Sequence, residues 1–225
     1  MASAVVQQAV GTAVNAAATA TFGAGITSGN IIYVVGVITG SLDVTGAISG
    51  LTGGSWTTIR DQDFNGRCHK YLFKYVGGTS GTAVTLTPSG NGRVHLDILE
   101  VSGTDNTQDG VNSTGANSTA FSTGNVTTTA VDFVLIGVGF EAAGTFTDNN
   151  SAPWVALTGT DSGTSSHLRG NYRLSAAVAT YNGSWSDTLT TTWEGLITAY
   201  VETAAAGGAN YPPPFKKRTN VLLRM

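Results

Sequence analysis

The sequence predicts an all-β fold, an antiparallel β-sandwich, and three observations predict it. Charged residues make up only 11% of the 225-residue chain, where soluble domains carry roughly 25%; Gly counts 30, and Thr is more abundant still. Thr suits pleated strands and Gly suits tight turns, whereas Lys and Glu, the usual helix-surface residues, are scarce. Apolar residues come in runs of about five to ten, each bounded by Gly, Asn, Asp, Ser or Pro. No segment holds a capped 3.6-residue apolar period.

The strand-like runs are Ala17–Phe22, Ile31–Ile38, Cys68–Val76, Ala83–Thr87 and Val94–Val101, then Val131–Phe140, Arg173–Tyr181, Thr188–Trp193 and Leu196–Val201. Val84 and Leu86 alternate with Thr85 and Thr87, and Leu96 and Ile98 with His95 and Asp97, the period of a half-buried strand. Ile31–Ile38 and Val131–Phe140 are almost continuously apolar and read as central strands covered on both faces. The Ala-rich stretch Val10–Ala20 is interrupted by Thr and Asn and reads as a lead-in to the first strand. Ser102–Thr129 shows no regular pattern and is expected to be a long surface crossing.

The two sets of runs recur in one order about 100 residues apart: a long apolar strand, a Trp-led segment (Trp56–Ile59, Trp154–Leu157), a Tyr-containing strand, a Thr-rich strand, and a strand closing on Glu100 or Glu202. Such a recurrence suggests a duplicated Greek key or the two halves of one jelly roll. We expect one jelly-roll-like sandwich over 1–203, with pseudo-repeated halves at about 17–101 and 130–202 sharing a core. Residues 204–225 form a small-residue linker and then a Pro-rich basic arm. There Tyr211 and Phe215 flank three prolines that impose an extended path.

Charge is unevenly placed. Lys216, Lys217, Arg218 and Arg224 lie in the last ten residues and every Asp and Glu lies before Ala204, so the net charge of −3 becomes −7 without those four cations. An acidic body argues against nucleic acid as a partner. No stretch approaches 18 apolar residues, which argues against a membrane span, and Met1–Gln8 lacks the basic-then-apolar pattern of an export signal. The single Cys68 forms no intramolecular disulfide.

Catalytic constellations are sparse. His69, His95 and His167 stand in no metal-ligand spacing and read as strand-face or loop residues. Cys68 and His69 are adjacent in a strand and face opposite sides, so they form no thiol–imidazole pair. Glu100, Glu141, Glu194 and Glu202 are too scattered to nominate a glycosidase pair. Neither a catalytic residue nor a cofactor is assigned. Asp61, Asp63 and Asn65 reproduce the start of a calcium loop, but Leu72 stands where a bidentate Glu is required, and Asn65-Gly66 is a strong hairpin signal. The hairpin is the favoured reading. Trp56, Trp154, Trp185 and Trp193 read mostly as core or turn residues, with a sugar-stacking platform as the alternative.

The succession Ser28–Val35, Trp56, Tyr71–Tyr75, Thr82–Thr87 and Leu96–Glu100 resembles a family of jelly-roll domains found in tailed-phage virion proteins. That resemblance covers about Val5–Glu202 and implies a domain used for assembly or attachment, located in the virion. The expected function is a non-enzymatic phage capsid-decoration or tail-associated protein. It would form a homo-oligomer and bind major capsid or tail proteins. In the arm, Phe215, Val221, Leu222 and Leu223 are expected to fill grooves and Lys216, Lys217 and Arg218 to pair with acidic surface, with Tyr211 and Arg224 also counted among the assembly residues. The alternative is a carbohydrate-binding module, with a glycan as partner.

Overall fold

The computed structural model describes residues 2–40, 44–141, 144–162 and 165–203. The nine arm residues nominated for assembly, Tyr211 to Arg224, lie outside the described residues. Among those described there is no helix, and every strand pair is antiparallel, so the chain is an all-β sandwich. No helix is therefore long and apolar enough to cross a membrane.

The first eight strands are β1 (Ala4–Val14), β2 (Ala18–Thr21), β3 (Ile31–Thr39), β4 (Gly46–Thr52), β5 (Ser55–Phe64), β6 (Cys68–Val76), β7 (Ser80–Pro88) and β8 (Arg93–Ser102). They form a five-stranded sheet in the order β1-β8-β3-β6-β5 and a three-stranded sheet in the order β2-β7-β4. The next nine are β9 (Thr104–Ser122), β10 (Val126–Thr127), β11 (Asp132–Phe140), β12 (Phe146–Asp148), β13 (Val155–Ala156), β14 (Thr160–Asp161), β15 (His167–Ala176), β16 (Thr180–Tyr181) and β17 (Ser184–Glu202). Their main sheet runs β12-β17-β11-β15-β13; β9 also pairs with β17 and β14 with β15, while β10 and β16 form a separate two-stranded ribbon.

The second group repeats the pairing scheme of the first. In the first, β1 pairs with β8, β2 with β7, β3 with both β6 and β8, β4 with β7, and β5 with β6. In the second, β9 pairs with the body of β17, while the end of β9 and β10 pair with the start of β17 and with β16. Then β11 pairs with both β15 and β17, β12 with the start of β17, and β13 and β14 with β15. If β16 and the start of β17 count as one strand, the same six pairings occur twice. A register shift between Ser186 and Thr191 marks where β17 passes from that strand into the next.

Period-two alternation sorts the apolar residues into three layers. Along β3, Ile32, Val34 and Ile38 face the three-stranded sheet and meet Leu86, Val84 and Ala20. The alternate residues Ile31, Tyr33, Val35 and Val37 face the main sheet of the second unit, where Phe133, Leu135, Leu196 and Tyr200 meet them. Along β11 the even-numbered Val134, Ile136, Val138 and Phe140 face a third cluster with Phe121, Tyr181, Trp185 and Trp193. Both β3 and β11 are buried along their whole length, as their continuous apolar character predicts. The two large sheets are thus welded by a shared apolar layer, and each unit also encloses a core of its own.

Two expectations are corrected. Ser102–Thr129 is not an irregular crossing: β9 occupies most of it as a 19-residue edge strand. Val10–Ala20 is not a mere lead-in, because β1 runs from Ala4 to Val14 and pairs with β8 throughout.

Candidate functional site

Among the described residues, each histidine, cysteine and acidic residue singled out in the sequence has a defined place. In β5 and β6, Asp61 and Asp63 flank the ring of His69, at 3.4 Å from Nδ1 and 3.5 Å from Nε2 respectively, and Tyr71 Oη lies 2.7 Å from His69 Nδ1. Asn65 and Gly66 both take positive φ (56° and 67°), and the Gly66 amide donates to Asp63 Oδ2 at 2.9 Å. Asn65–Arg67 close the hairpin between the paired Phe64 and Cys68, with Asn-Gly at the two left-handed positions it favours, while Asp61 and Asp63 lie in β5 opposite Tyr71 and His69. Among the described residues no group of three or more His, Cys, Asp or Glu is placed to hold a metal. Cys68 lies on the opposite face from His69, in the shared layer, where its thiol donates to the Gly139 carbonyl at 3.4 Å and burial pushes its pKa up.

His95 and His167 are buried near one another. His95 Nδ1 lies 2.8 Å from Thr160 Oγ1 and 3.1 Å from Thr12 Oγ1, and burial lowers its pKa to about 4, so the ring is neutral. His167 Nδ1 contacts Asp161 Oδ1 at 2.6 Å, its ring stacks on Phe140, and Arg169 closes on the same carboxylate at 2.7 Å. Asp97 receives both Gln8 Nε2 contacts (2.8 and 2.9 Å) and the Gly159 amide; burial nonetheless pushes it up to about 7.

The glutamates divide into ties and one interior group. Burial opposes ionisation of Glu100, but donors from Thr27, Asn30 and Gln7 outweigh it and hold the carboxyl below its ordinary range. Glu202 joins three segments by accepting from Ser3 Oγ, the Ser175 amide and Ser175 Oγ. Glu141 meets Arg67 at 3.7 Å on the surface. Glu194 instead sits within the protein near Lys70, which is fully buried and whose Nζ has no hydrogen-bond partner. Gly137 makes the room: a Cβ there would lie 3.2 Å from Lys70 Nζ and 2.6 Å from Val35 Cγ1. Burial pushes Lys70 down to about 7 and Glu194 up to about 8. Both are driven toward their uncharged forms, since the apolar layer solvates neither charge.

The tryptophans separate as well. Trp185 and Trp193 are core residues. Trp56 packs at a tilt against Tyr75, with ring centroids 4.8 Å apart, and donates its indole N–H to the Gly50 carbonyl. Trp154 is half-buried and borders an open cleft of about 270 Å³ between the segment 149–154 and Arg173, Asn182 and Ser184. Asn150 pins that segment: its Oδ1 accepts from the Ser184 amide at 3.0 Å, and its Nδ2 donates to Asp148 Oδ1 at 2.8 Å and to the Ser184 carbonyl at 3.0 Å. Tyr181 touches two of the residues that line the cleft. Trp154 meets its ring edge-on, with centroids 6.2 Å apart, and the Arg173 guanidinium lies 5.1 Å from its centroid. Among the described residues no carboxylate pairs with Arg173, and its Nε is buried without an acceptor.

Of the residues nominated for a sugar platform, only Trp154 borders this cleft. Arg173, Asn149 and Asn182 carry no signal in the sequence because they come from three separate segments with no common spacing. No family model, curated protein or solved structure matches this chain.

Proposed function

We propose that this chain is a non-enzymatic structural protein of a virion, a phage capsid-decoration or tail-associated protein that assembles as a homo-oligomer. It binds neighbouring subunits through its sandwich and through the arm at 204–225. The observation that carries the reading is the twice-repeated pairing of first strand with eighth, second with seventh and third with sixth. A long hairpin rolled on itself pairs its strands in this way, and the jelly roll so formed is a recurrent scaffold of viral capsid proteins and of lectins. In the first unit β5 joins the five-stranded sheet beside β6 instead of the sheet holding β4, which departs from a closed roll at that edge.

The use of polar groups supports the same reading. Glu100, Asp109 and Glu202 bind backbone amides and hydroxyls of distant segments, which is how a scaffold fixes loops without disulfides. Light scattering of the intact chain and of a variant lacking Tyr211–Met225 tests the proposal. The intact chain is expected at a multiple of 23.0 kDa and the truncated one folded but at lower mass. An intact chain that stays monomeric at every concentration refutes it.

One observation favours a second reading, a carbohydrate-binding module: the cleft bordered by Trp154, with an aromatic edge, side-chain amides and a guanidinium around one open hollow. Lectin and virion roles share the jelly-roll scaffold, and attachment proteins combine them.

A further inference from the structure

The cleft at 149–154 has a chemical character that specifies its ligand, and the ligand's identity rests on the carbohydrate-binding reading. Arg173 is held in place by the face of Tyr181, so little side-chain freedom remains to be lost on binding. A pre-ordered guanidinium with unused donors is matched by a planar carboxylate, which it engages through two parallel N–H···O bonds. The other groups at the rim are neutral. Asn149 and Asn182 carry amides, Ser151 a hydroxyl, and Asn182 and Ser151 are exposed. Such groups exchange hydrogen bonds with hydroxyls without requiring charge. Trp154 adds an apolar surface for the C–H face of a sugar ring. The segment bearing these groups is already fixed through Asn150, so the hollow is preformed.

We infer that this cleft binds an acidic monosaccharide unit of a glycan, a uronic or sialic acid residue. Arg173 takes the carboxylate, Asn149 and Asn182 the ring hydroxyls, and Trp154 one face of the ring. The volume of about 270 Å³ suits a single sugar unit and not an extended oligosaccharide, so the site reads one residue of a longer chain. An acidic ligand also suits the location, since among the described residues Arg173 is the one cation lining the cleft and the other lining residues are uncharged.

The test is titration calorimetry of the full chain with two matched pairs of probes, sialyllactose against lactose and oligogalacturonate against oligogalactose. Saturable binding of at least one acidic probe is expected, with its neutral partner weaker by roughly tenfold or more. Arg173→Gln is expected to abolish that preference, and Trp154→Ala to weaken both members of a pair. Asn182→Ala, at an exposed position, is expected to weaken both members of a pair; should Arg173→Gln misfold, the intact chain's preference for the acidic probe is expected to shrink as salt is raised, and a preference that salt leaves unchanged overturns the inference. Equal binding of neutral and acidic probes, lost in Trp154→Ala, overturns the acidic-sugar inference while leaving a carbohydrate site. Failure of every saccharide at millimolar concentration overturns both. Binding of inorganic phosphate in place of either acidic sugar also overturns the inference.

Discussion

Replacing Lys70 and Glu194 together, by Lys70→Met with Glu194→Gln, is expected to stabilise the protein most strongly between pH 7 and 8. Lys70 is fully buried with no hydrogen-bond partner, and burial lowers its pKa from 10.5 to about 7. Burial raises Glu194 from 4.5 to about 8. In the unfolded chain Lys70 binds more protons than in the folded one between about pH 7 and 10.5, so its contribution to stability recovers as pH rises through that window. Glu194 binds more protons in the folded chain between about pH 4.5 and 8, so its contribution falls as pH rises through that window. The two penalties overlap in full between pH 7 and 8. At 1.36 kcal/mol per pKa unit each reaches about 4 kcal/mol near pH 7.5, a ceiling that mutual attraction reduces. A net gain of roughly 1–4 kcal/mol is therefore expected, as for other buried pairs replaced by neutral groups of similar size. In a chain of this size that raises Tm by roughly 2–4 °C per kcal/mol. Thermal melts of both proteins from pH 5 to pH 10 give the assay. A gain that peaks near pH 7.5 and shrinks on both sides is the expected result. A gain that does not vary with pH means the pair is a true ion pair in the folded state and refutes the reasoning, and so does a loss of stability at neutral pH.

Three further outcomes are expected from the same layers. Gly137→Ala places a Cβ 2.6 Å from Val35 Cγ1 in the shared layer and is expected to cost about 1–3 kcal/mol, read as a lower urea midpoint with an unchanged slope. Asp132 is buried with neither carboxylate oxygen hydrogen-bonded to a donor, and burial together with the neighbouring Asp109 pushes it up to about 7. Its raised pKa means that stability is lost as pH rises from about 4 through 7, so Asp132→Asn is expected to raise Tm more at pH 7.5 than at pH 4. Calcium is expected to leave Tm unchanged because Asp61 and Asp63 serve a hairpin, whereas Gly66→Ala is expected to cost about 1–2 kcal/mol by placing a side chain at positive φ.

Strands buried on both faces were legible because apolar character alone marks them. Cys68–Val76 is β6 to the residue, and Ile31–Ile38 differs from β3 only by Thr39. The first strand of each unit escaped notice for one reason. Both β1 and β9 lie at a sheet edge, held chiefly by backbone hydrogen bonds to one neighbour, so their side chains need no strict alternation. Asn112, Ser113, Thr114 and Gly115 illustrate this: they pair with Ile197, Leu196, Gly195 and Glu194, yet they read as loop residues. The recurrence over about 100 residues was visible as an order of segments, but not as a pairing scheme, because the linear order does not say which strands are neighbours. The burial of Lys70 left no local mark either. Its surroundings are set by Val37 beside it and Gly137 across the layer, residues distant in the chain. The cleft was half legible, through Trp154, while Arg173 is one unremarkable cation in a strand until Tyr181 is placed beneath it.

Two units with one pairing scheme are welded by the layer containing Tyr33, Val35, Phe133 and Leu135, and the structural reading depends on that weld. Hydrogen exchange measured across a urea titration, with the amides of β3 and β11 read separately, tests it directly. Coincident loss of protection in the two strands, with a calorimetric enthalpy equal to the van't Hoff value, is the predicted result. Protection lost from β11 at a urea concentration that leaves β3 intact, or the reverse, contradicts it.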